Sequence, residues 1–224
     1  MSNSLTSTLL TGVSDELANA VERAGSGVVT VEARRRQPAT GIIWSPDGLI
    51  VSANHVVERD EEIGIGLPDG RDVEATLIGR DQGSDIVVLK IAAADLAPLA
   101  RSETEPRVGQ LSLAIGRPGP SGVMASLGVI STVAGPLRLH GGGTLERYVR
   151  ADVAMLPGFS GGPLIDASGN LIGLNSSTLG RFGGITVLAE SIDEVVASLV
   201  QHGRVRRGYL GIGAQAVRLP DGIA

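Results

Sequence analysis

The stretch "TGIIWSPDGLIVSA", residues 40–53, sets two β-branched runs on either side of Ser-Pro-Asp-Gly. Proline presets φ at the second position of a turn and glycine takes the positive φ that closes it, so the stretch reads as two strands joined by a hairpin. The same grammar recurs outward. "GVVTVEAR" (27–34), "EIGIGL" (62–67), "VEATLIGRD" (73–81) and "SDIVVLKI" (84–91) are short, β-branched and partly alternating, with "LPDG" as another turn. A polar stretch, "APLARSETEPRVGQ" (97–110), follows as a linker. Beyond it come "LSLAIG", "ASLGVISTV", "ERYVRADVAM", "GPLIDASGNLIGLNSS" and "GGITVLA". Two groups of strands with no βαβ alternation point to an all-β chain of two barrels rather than a parallel sheet.

Helix signals occur only at the ends. Ser14 is placed to cap "DELANAVERA" with Gly25 as the stop. Ser191 and Glu194 form a capping box ahead of "VVASLV", and Gly203 follows. The expected organisation is an N-terminal arm and helix (1–25), a first barrel (26–100), a second barrel (101–190), a C-terminal helix (191–203) and a tail (204–224).

Bulk composition narrows the function. The 224 residues are 42% hydrophobic and carry a net charge of −5, which describes a globular chain with no nucleic-acid footprint. The one basic run, Arg34-Arg35-Arg36, reads as a solvated strand end. Cysteine is absent, and the three histidines (His55, His140 and His202) are far apart, so neither a disulfide nor a metal site is expected, and no cofactor. No membrane span and no signal peptide are visible, so the sequence as written is expected in the cytoplasm.

"PGFSGGPL" (157–164) then poses the chemical question, because it sets Ser160 among glycines and prolines. A serine hydroxyl becomes a nucleophile only when a base takes its proton and a third group holds that base. "SANHVV" places His55 at a strand end, and "GSDIVVLK" places Asp85 at the mouth of an apolar strand, with Asp81 an equal rival by spacing alone. Gly-x-Ser can aim the main-chain amides of Gly158 and Ser160 at one developing oxyanion. Each residue alone has an ordinary structural reading; His140 and His202 keep theirs. The alternative nucleophile elbow, with "HGGG" at 140–143 and with Asp193 and His202 following the serine, fails because too few residues separate the glycines and Pro163 blocks the required helix.

Taken with "GIIWSPDGLIVSANHVV", "IGRDQGSDIVVLKI", "RVGQLSLAIGRPGP", "GFSGGPLIDASGNLIGLNSS" and "GRVRRGYLGI", the sequence resembles the HtrA (Deg) family of trypsin-like serine proteases along nearly its whole length. The resemblance implies a chymotrypsin-like double β-barrel with short N-terminal and C-terminal helices. It implies ATP-independent cleavage of unfolded or misfolded proteins, with His55 as base, Asp85 rather than Asp81 as its orienter, and Ser160 as nucleophile. The oxyanion hole would use Gly158 and Ser160, with Phe159 as a further donor. The resemblance also implies a substrate-pairing strand at Ile185, Thr186, Val187 and Leu188. Met155, Ile185 and Val187 would line a pocket for a small or medium aliphatic side chain.

Four departures from the family pattern bear on these expectations. Phe159 stands where the family usually has asparagine, so its ring is expected to alter loop order or substrate access; a non-catalytic binder of unfolded polypeptide is the alternative function. "ITVLAES" replaces the family's usual wall sequence. "RGYLGIGAQAV" resembles the opening of a PDZ domain, with Tyr209–Ile212 as its carboxylate loop, and the sequence has room only for that start. Family members often form trimers through N-terminal aromatic residues and often work outside the cytoplasm. The first 40 positions here hold no aromatic residue, so the homo-oligomer, a trimer by the family pattern, that the resemblance implies lacks its usual anchor.

Overall fold

The computed structural model describes residues 2–35, 37–119, 122–139, 143–180 and 184–205, with side chains from Thr8 onward. The PDZ-like stretch with Tyr209–Ile212, and His140, lie outside the described residues.

Two closed six-stranded barrels form the body. The first contains β1 (Val28–Glu32), β2 (Ala39–Ile43), β3 (Leu49–Ala53), β4 (Ile63–Gly66), β5 (Asp72–Asp81) and β6 (Ile86–Ile91). The hairpin read from residues 40–53 is β2–β3, paired Gly41↔Ser52 through Ile43↔Ile50, and its turn closes with the Gly48 amide on the Ser45 carbonyl. The second barrel contains β7 (Leu111–Gly116), β8 (Met124–Ala134), β11 (Tyr148–Ala151), β12 (Pro163–Asp166), β13 (Leu171–Ser176) and β14 (Ile185–Leu188). A ribbon of β9 (Leu137–Arg138) and β10 (Thr144–Leu145) stands outside it. Closure removes free sheet edges from both barrels.

The helices depart from the sequence reading. α1 runs Ser2–Gly25, so Ser14 lies inside it and caps nothing at its start. The apolar spacing Leu10, Val13, Leu17, Ala20/Val21, Ala24 continues at helical period upstream of Ser14, and this periodicity outweighs the local cap signal. Among the described side chains the last turns pack, with Ala20 and Ala24 buried, while Leu9, Leu10 and Val13 are exposed. α2 spans Ala189–His202 and begins directly from β14, with Leu188 extended at its N-cap and no side-chain cap. Ser191 and Glu194 therefore sit within the helix rather than at its boundary. Gly203 ends α2 in the left-handed region, at φ 68, with its amide on the Leu199 carbonyl.

α2 lays Ile192, Val196 and Leu199 on a core shared by both barrels, and Asp193 ties the elements together. Its carboxylate accepts from Trp44 Nε1 (3.0 Å) and Arg101 Nη2 (2.9 Å), while the Arg101 guanidinium lies 3.7 Å from the Trp44 ring centre. That clamp gives Asp193 a structural role, consistent with rejecting the elbow alternative.

Candidate active site

β3 ends in a 3₁₀ turn, Asn54–Val56, that turns His55 out of the first barrel. β6 begins one residue after Asp85, which is 4% exposed and held at φ 58, a conformation an L-residue rarely adopts but Asp tolerates. The left-handed backbone lets one residue serve both sides of the turn. The Asp85 carbonyl accepts from the Asn54 amide (2.9 Å), Oδ1 accepts from the His55 amide (2.9 Å), and Oδ2 accepts from His55 Nδ1 (2.7 Å). The imidazole is thereby held with its proton on Nδ1 and Nε2 left as an acceptor. Asp81 is engaged elsewhere: its Oδ2 takes the amide and hydroxyl of Ser84. Asp85, not Asp81, is the carboxylate at His55.

Burial raises the Asp85 pKa, but the His55 ring N–H and charge, the Ser176 hydroxyl and the His55 amide outweigh it and hold the carboxyl below its ordinary value. A depressed folded-state pKa contributes stability above the unfolded value, and that contribution is lost as pH falls through the folded one. The His55–Asp85 contact should therefore survive mild acid and fail only below the ordinary carboxylate range near ~4. Acid unfolding followed by circular dichroism should show the contribution of this contact vanishing in Asp85→Asn. An unchanged acid limb in that variant would contradict the assignment.

The loop before β12 carries Ser160. Gly158 and Gly161 both have φ near 87, and a Cβ on Gly161 would fall 2.2 Å from the Thr40 carbonyl oxygen. Only glycine fits that position. Thr40 stitches the loop to the first barrel: its hydroxyl donates to the Gly158 carbonyl (2.7 Å) and accepts from the Arg117 amide (2.9 Å). The Gly161 amide donates to the Asn175 carbonyl at 2.9 Å. Neither the Gly158 nor the Ser160 amide donates to another described residue, so both are available to an incoming oxyanion.

Phe159 corrects two expectations. Its amide donates to the Leu156 carbonyl (3.0 Å), so it is not a free oxyanion donor. Its ring is 0% exposed and packs among Ala114, Ile130, Val149, Leu164, Ile172 and Leu188. It lies inside the second barrel, away from the cleft, and blocks no substrate. The ring fits because Gly116 has no side chain; a Cβ there would lie 2.4 Å from Phe159 Cδ1.

The end of β13 supplies three consecutive hydroxyls that the sequence reading did not single out, although the run "NSST" (175–178) was its signal. Ser176 Oγ donates to Asp85 Oδ2 (2.5 Å), and Thr178 Oγ1 donates to the same oxygen (3.1 Å). Ser177 Oγ accepts from Ser160 Oγ (2.9 Å) and stands 3.5 Å from His55 Nε2. Because Nδ1 holds the ring proton, Ser177 is the donor in that last, long contact. Ser160, His55 and Asp85 thus meet in one place, with the Ser177 hydroxyl between Ser160 Oγ and His55 Nε2. Arg34 also lines the cleft at Ser160 and His55, beside Met155, Leu156 and Pro157, rather than merely ending a strand.

The proposed substrate-pairing strand is also corrected. β14 pairs with β11 on one edge (Tyr148↔Val187) and with β13 on the other (Leu174↔Val187), so it has no free edge for a peptide. Ile185 and Val187 join the core shared with α2, and Leu188 packs beside Phe159. Of the three expected pocket residues, Met155 and Ile185 border one open cavity, with Thr186 beside them, and Val187 does not line it. Among the described residues, no group of His, Asp and Glu side chains is arranged to hold a metal ion.

Comparison with known proteins agrees with this architecture. The family model for the trypsin-like peptidase domain matches residues 39–174, from β2 through most of β13. The chain belongs to the trypsin-like peptidases, in their HtrA (Deg) branch. A DegP-like periplasmic serine endoprotease of Chlamydia pneumoniae is 36% identical over 184 residues, covering 80% of this chain and 37% of that protein. The periplasmic pH-dependent serine endoprotease DegQ of Escherichia coli K12 is 34% identical over 206 residues, covering 88% of this chain and 42% of that one. The chain thus spans about two-fifths of the length of the curated relatives it matches. Among solved structures, the serine endoprotease of Yersinia pestis superposes with a TM-score of 0.75 at 32% identity, covering 88% of this chain and 71% of the other. The HtrA-type protease AlgW with a bound decapeptide gives a TM-score of 0.75 at 30% identity, covering 90% and 73%.

Proposed function

We propose that the chain is a serine endopeptidase acting through an acyl-enzyme. The observation that carries this reading is the His55–Asp85 pair, locked by two hydrogen bonds and facing Ser160 across the cleft between barrels. Ser160 Oγ leaves Ser177 and turns to His55 Nε2, which takes its proton as Oγ adds to the peptide carbonyl. Asp85 stabilises the imidazolium, and the Gly158 and Ser160 amides receive the oxyanion. The imidazolium then protonates the leaving amine, and a water, deprotonated by His55, hydrolyses the acyl-enzyme.

An extended substrate needs unpaired main chain to bind against. The Ser177 amide and carbonyl, which bond to no other described backbone, replace β14 in that role. Polypeptides that are unfolded or misfolded satisfy this requirement, since a folded chain has its strands already paired. No helix among the described residues is long and apolar enough to cross a membrane. The relatives' names place them in the periplasm, which favours an extracytoplasmic location for this chain over the cytoplasmic expectation. The non-catalytic alternative rested on the Phe159 ring, and that ring's burial in the second barrel removes its motivation.

A fluorophosphonate probe tests the reading directly, because it labels only a serine activated by its base. Stoichiometric labelling at Ser160, blocked by prior heat unfolding, is the expected outcome. Failure to label, with denatured casein also left uncut, would sink the peptidase assignment.

A further inference from the structure

The basic run Arg34-Arg35-Arg36 falls in the connection from β1 to β2, on a chain whose net charge is −5. Arg34 is half-buried and lines the Ser160 cleft with Gln37, His55, Leu156 and Pro157. Among the described residues no Asp or Glu lines that cleft, so Arg34 is its one permanent charge. The connection is fastened to the nucleophile loop rather than free in solvent. Arg34 Nε donates to the Gln37 carbonyl (2.7 Å), Gln37 Nε2 donates to the Pro157 carbonyl (3.4 Å), and the Thr40 hydroxyl donates to the Gly158 carbonyl (2.7 Å). With Nε so committed, the two Nη groups meet no acceptor and Arg34 forms no ion pair among the described residues. A cleft walled by protein focuses the field of a single unopposed charge on whatever enters it.

We infer that Arg34 recognises an acidic side chain, glutamate or aspartate, within the first two positions after the cleaved bond. The inference rests on the peptidase reading and gives that site a substrate class. The direction follows from the proposed mechanism. The acylating half of the substrate lies along the Ser177 main chain, and His55 protonates the amine that leaves. The leaving half is therefore turned from Ser177 towards the first barrel, where the β1–β2 connection holds Arg34 and Gln37. A carboxylate there accepts from both Nη groups at once, the planar fork matching its two oxygens.

Other side chains at these positions each miss one element. An apolar residue packs on Leu156, which is 37% exposed, yet it strips water from Arg34 and returns no acceptor. Glutamine and asparagine offer an acceptor oxygen without the charge. Lysine and arginine bring repulsion. Arg35 is exposed and lines no part of the cleft, so it adds to the field without touching the substrate. The Arg34 pair is itself partly exposed, so the preference should be moderate and sensitive to salt.

The test uses the full chain and internally quenched peptides blocked at both ends, so that the varied side chain supplies the only carboxylate. Glutamate, glutamine, leucine and lysine are compared at the first and second positions after the scissile bond, with the cut confirmed by mass spectrometry. Glutamate at one of these positions should exceed glutamine in kcat/KM by about three- to fivefold, with lysine last. Raising salt to about 1 M, where screening acts over ~3 Å, should bring that ratio below about twofold. Arg34→Gln should remove the preference, Arg34→Glu should put lysine above glutamate, and Arg35→Gln should keep the wild-type order. A wild-type profile in which glutamine or leucine equals or exceeds glutamate at both positions overturns the inference, whether or not the variants fold. A glutamate preference that persists in Arg34→Gln overturns it as well. In either case fluorophosphonate labelling of Ser160 would leave the peptidase reading standing. Absence of both labelling and cleavage in the wild type would remove that reading and this inference together.

Discussion

Ser160→Ala should leave no measurable proteolysis of denatured casein while the melting temperature stays within a degree or two of wild type. Ser160 is 9% exposed, and its hydroxyl makes one described hydrogen bond, to Ser177, so its removal deletes a reactive group and little packing. Residual catalysis from binding and oxyanion stabilisation should not exceed about 10³–10⁴-fold over the uncatalysed rate. The neighbouring Ser177 makes this a sharper experiment than usual. In the variant a second hydroxyl remains 3.5 Å from His55 Nε2, close to the base though beyond ordinary hydrogen-bond reach. Being near the base is not sufficient, because the amides proposed to receive the oxyanion, those of Gly158 and Ser160, belong to the turn that carries Ser160. Substantial turnover in Ser160→Ala would mean that Ser177 attacks in its place, and Ser160→Ala/Ser177→Ala would then have to lose it. The expected result is that the single change suffices.

The hairpin at 40–53 and the strand groups were legible in the sequence because strand pattern and turn chemistry are local, and so was the His, Asp, Ser order that the cleft brings together. What was not legible depends on closure. Whether a strand such as β14 has a free edge is decided by its partners β11 and β13, which lie 9 to 40 residues away in the chain, so the substrate strand was misplaced. Spacing alone left Asp81 and Asp85 open; the family resemblance named Asp85, and that is the carboxylate the 3₁₀ turn faces. Ser176, Ser177 and Thr178 looked like ordinary polar residues after a strand, and only the apposition of the two barrels puts their hydroxyls on the triad. Helix boundaries failed differently: cap signals at Ser14 and Ser191 were present but weaker than the apolar period and the uninterrupted run from β14 into α2.

Phe159 is the residue whose environment was least readable, and it carries the second large effect. Flanked by Gly158 and Ser160 it looks like a loop residue, yet its ring is among the largest fully buried side chains of the protein. Phe159→Ala should destabilise the fold by about 3–5 kcal/mol, the range for a buried phenylalanine that leaves a cavity. At about 2–4 °C per kcal/mol for a chain of this size, the melting temperature should fall by on the order of 10 °C. Phe159→Asn should be no better, because a smaller, polar amide would replace the ring in an apolar cluster. Below the melting transition, activity should report a second consequence. On the proposed mechanism the ring anchors the turn whose Gly158 and Ser160 amides receive the oxyanion, and losing one such donor costs about 10²–10³ in kcat. Phe159→Ala should therefore lower kcat far more than it raises KM. Phe159→Leu, which keeps most of the volume, should recover most of both stability and kcat. Calorimetry with steady-state kinetics on the three variants checks this. A melting temperature unmoved in Phe159→Ala would mean that the ring does not hold the loop, and that the amides beside Ser160 owe their placement to Thr40 and Asn175 alone.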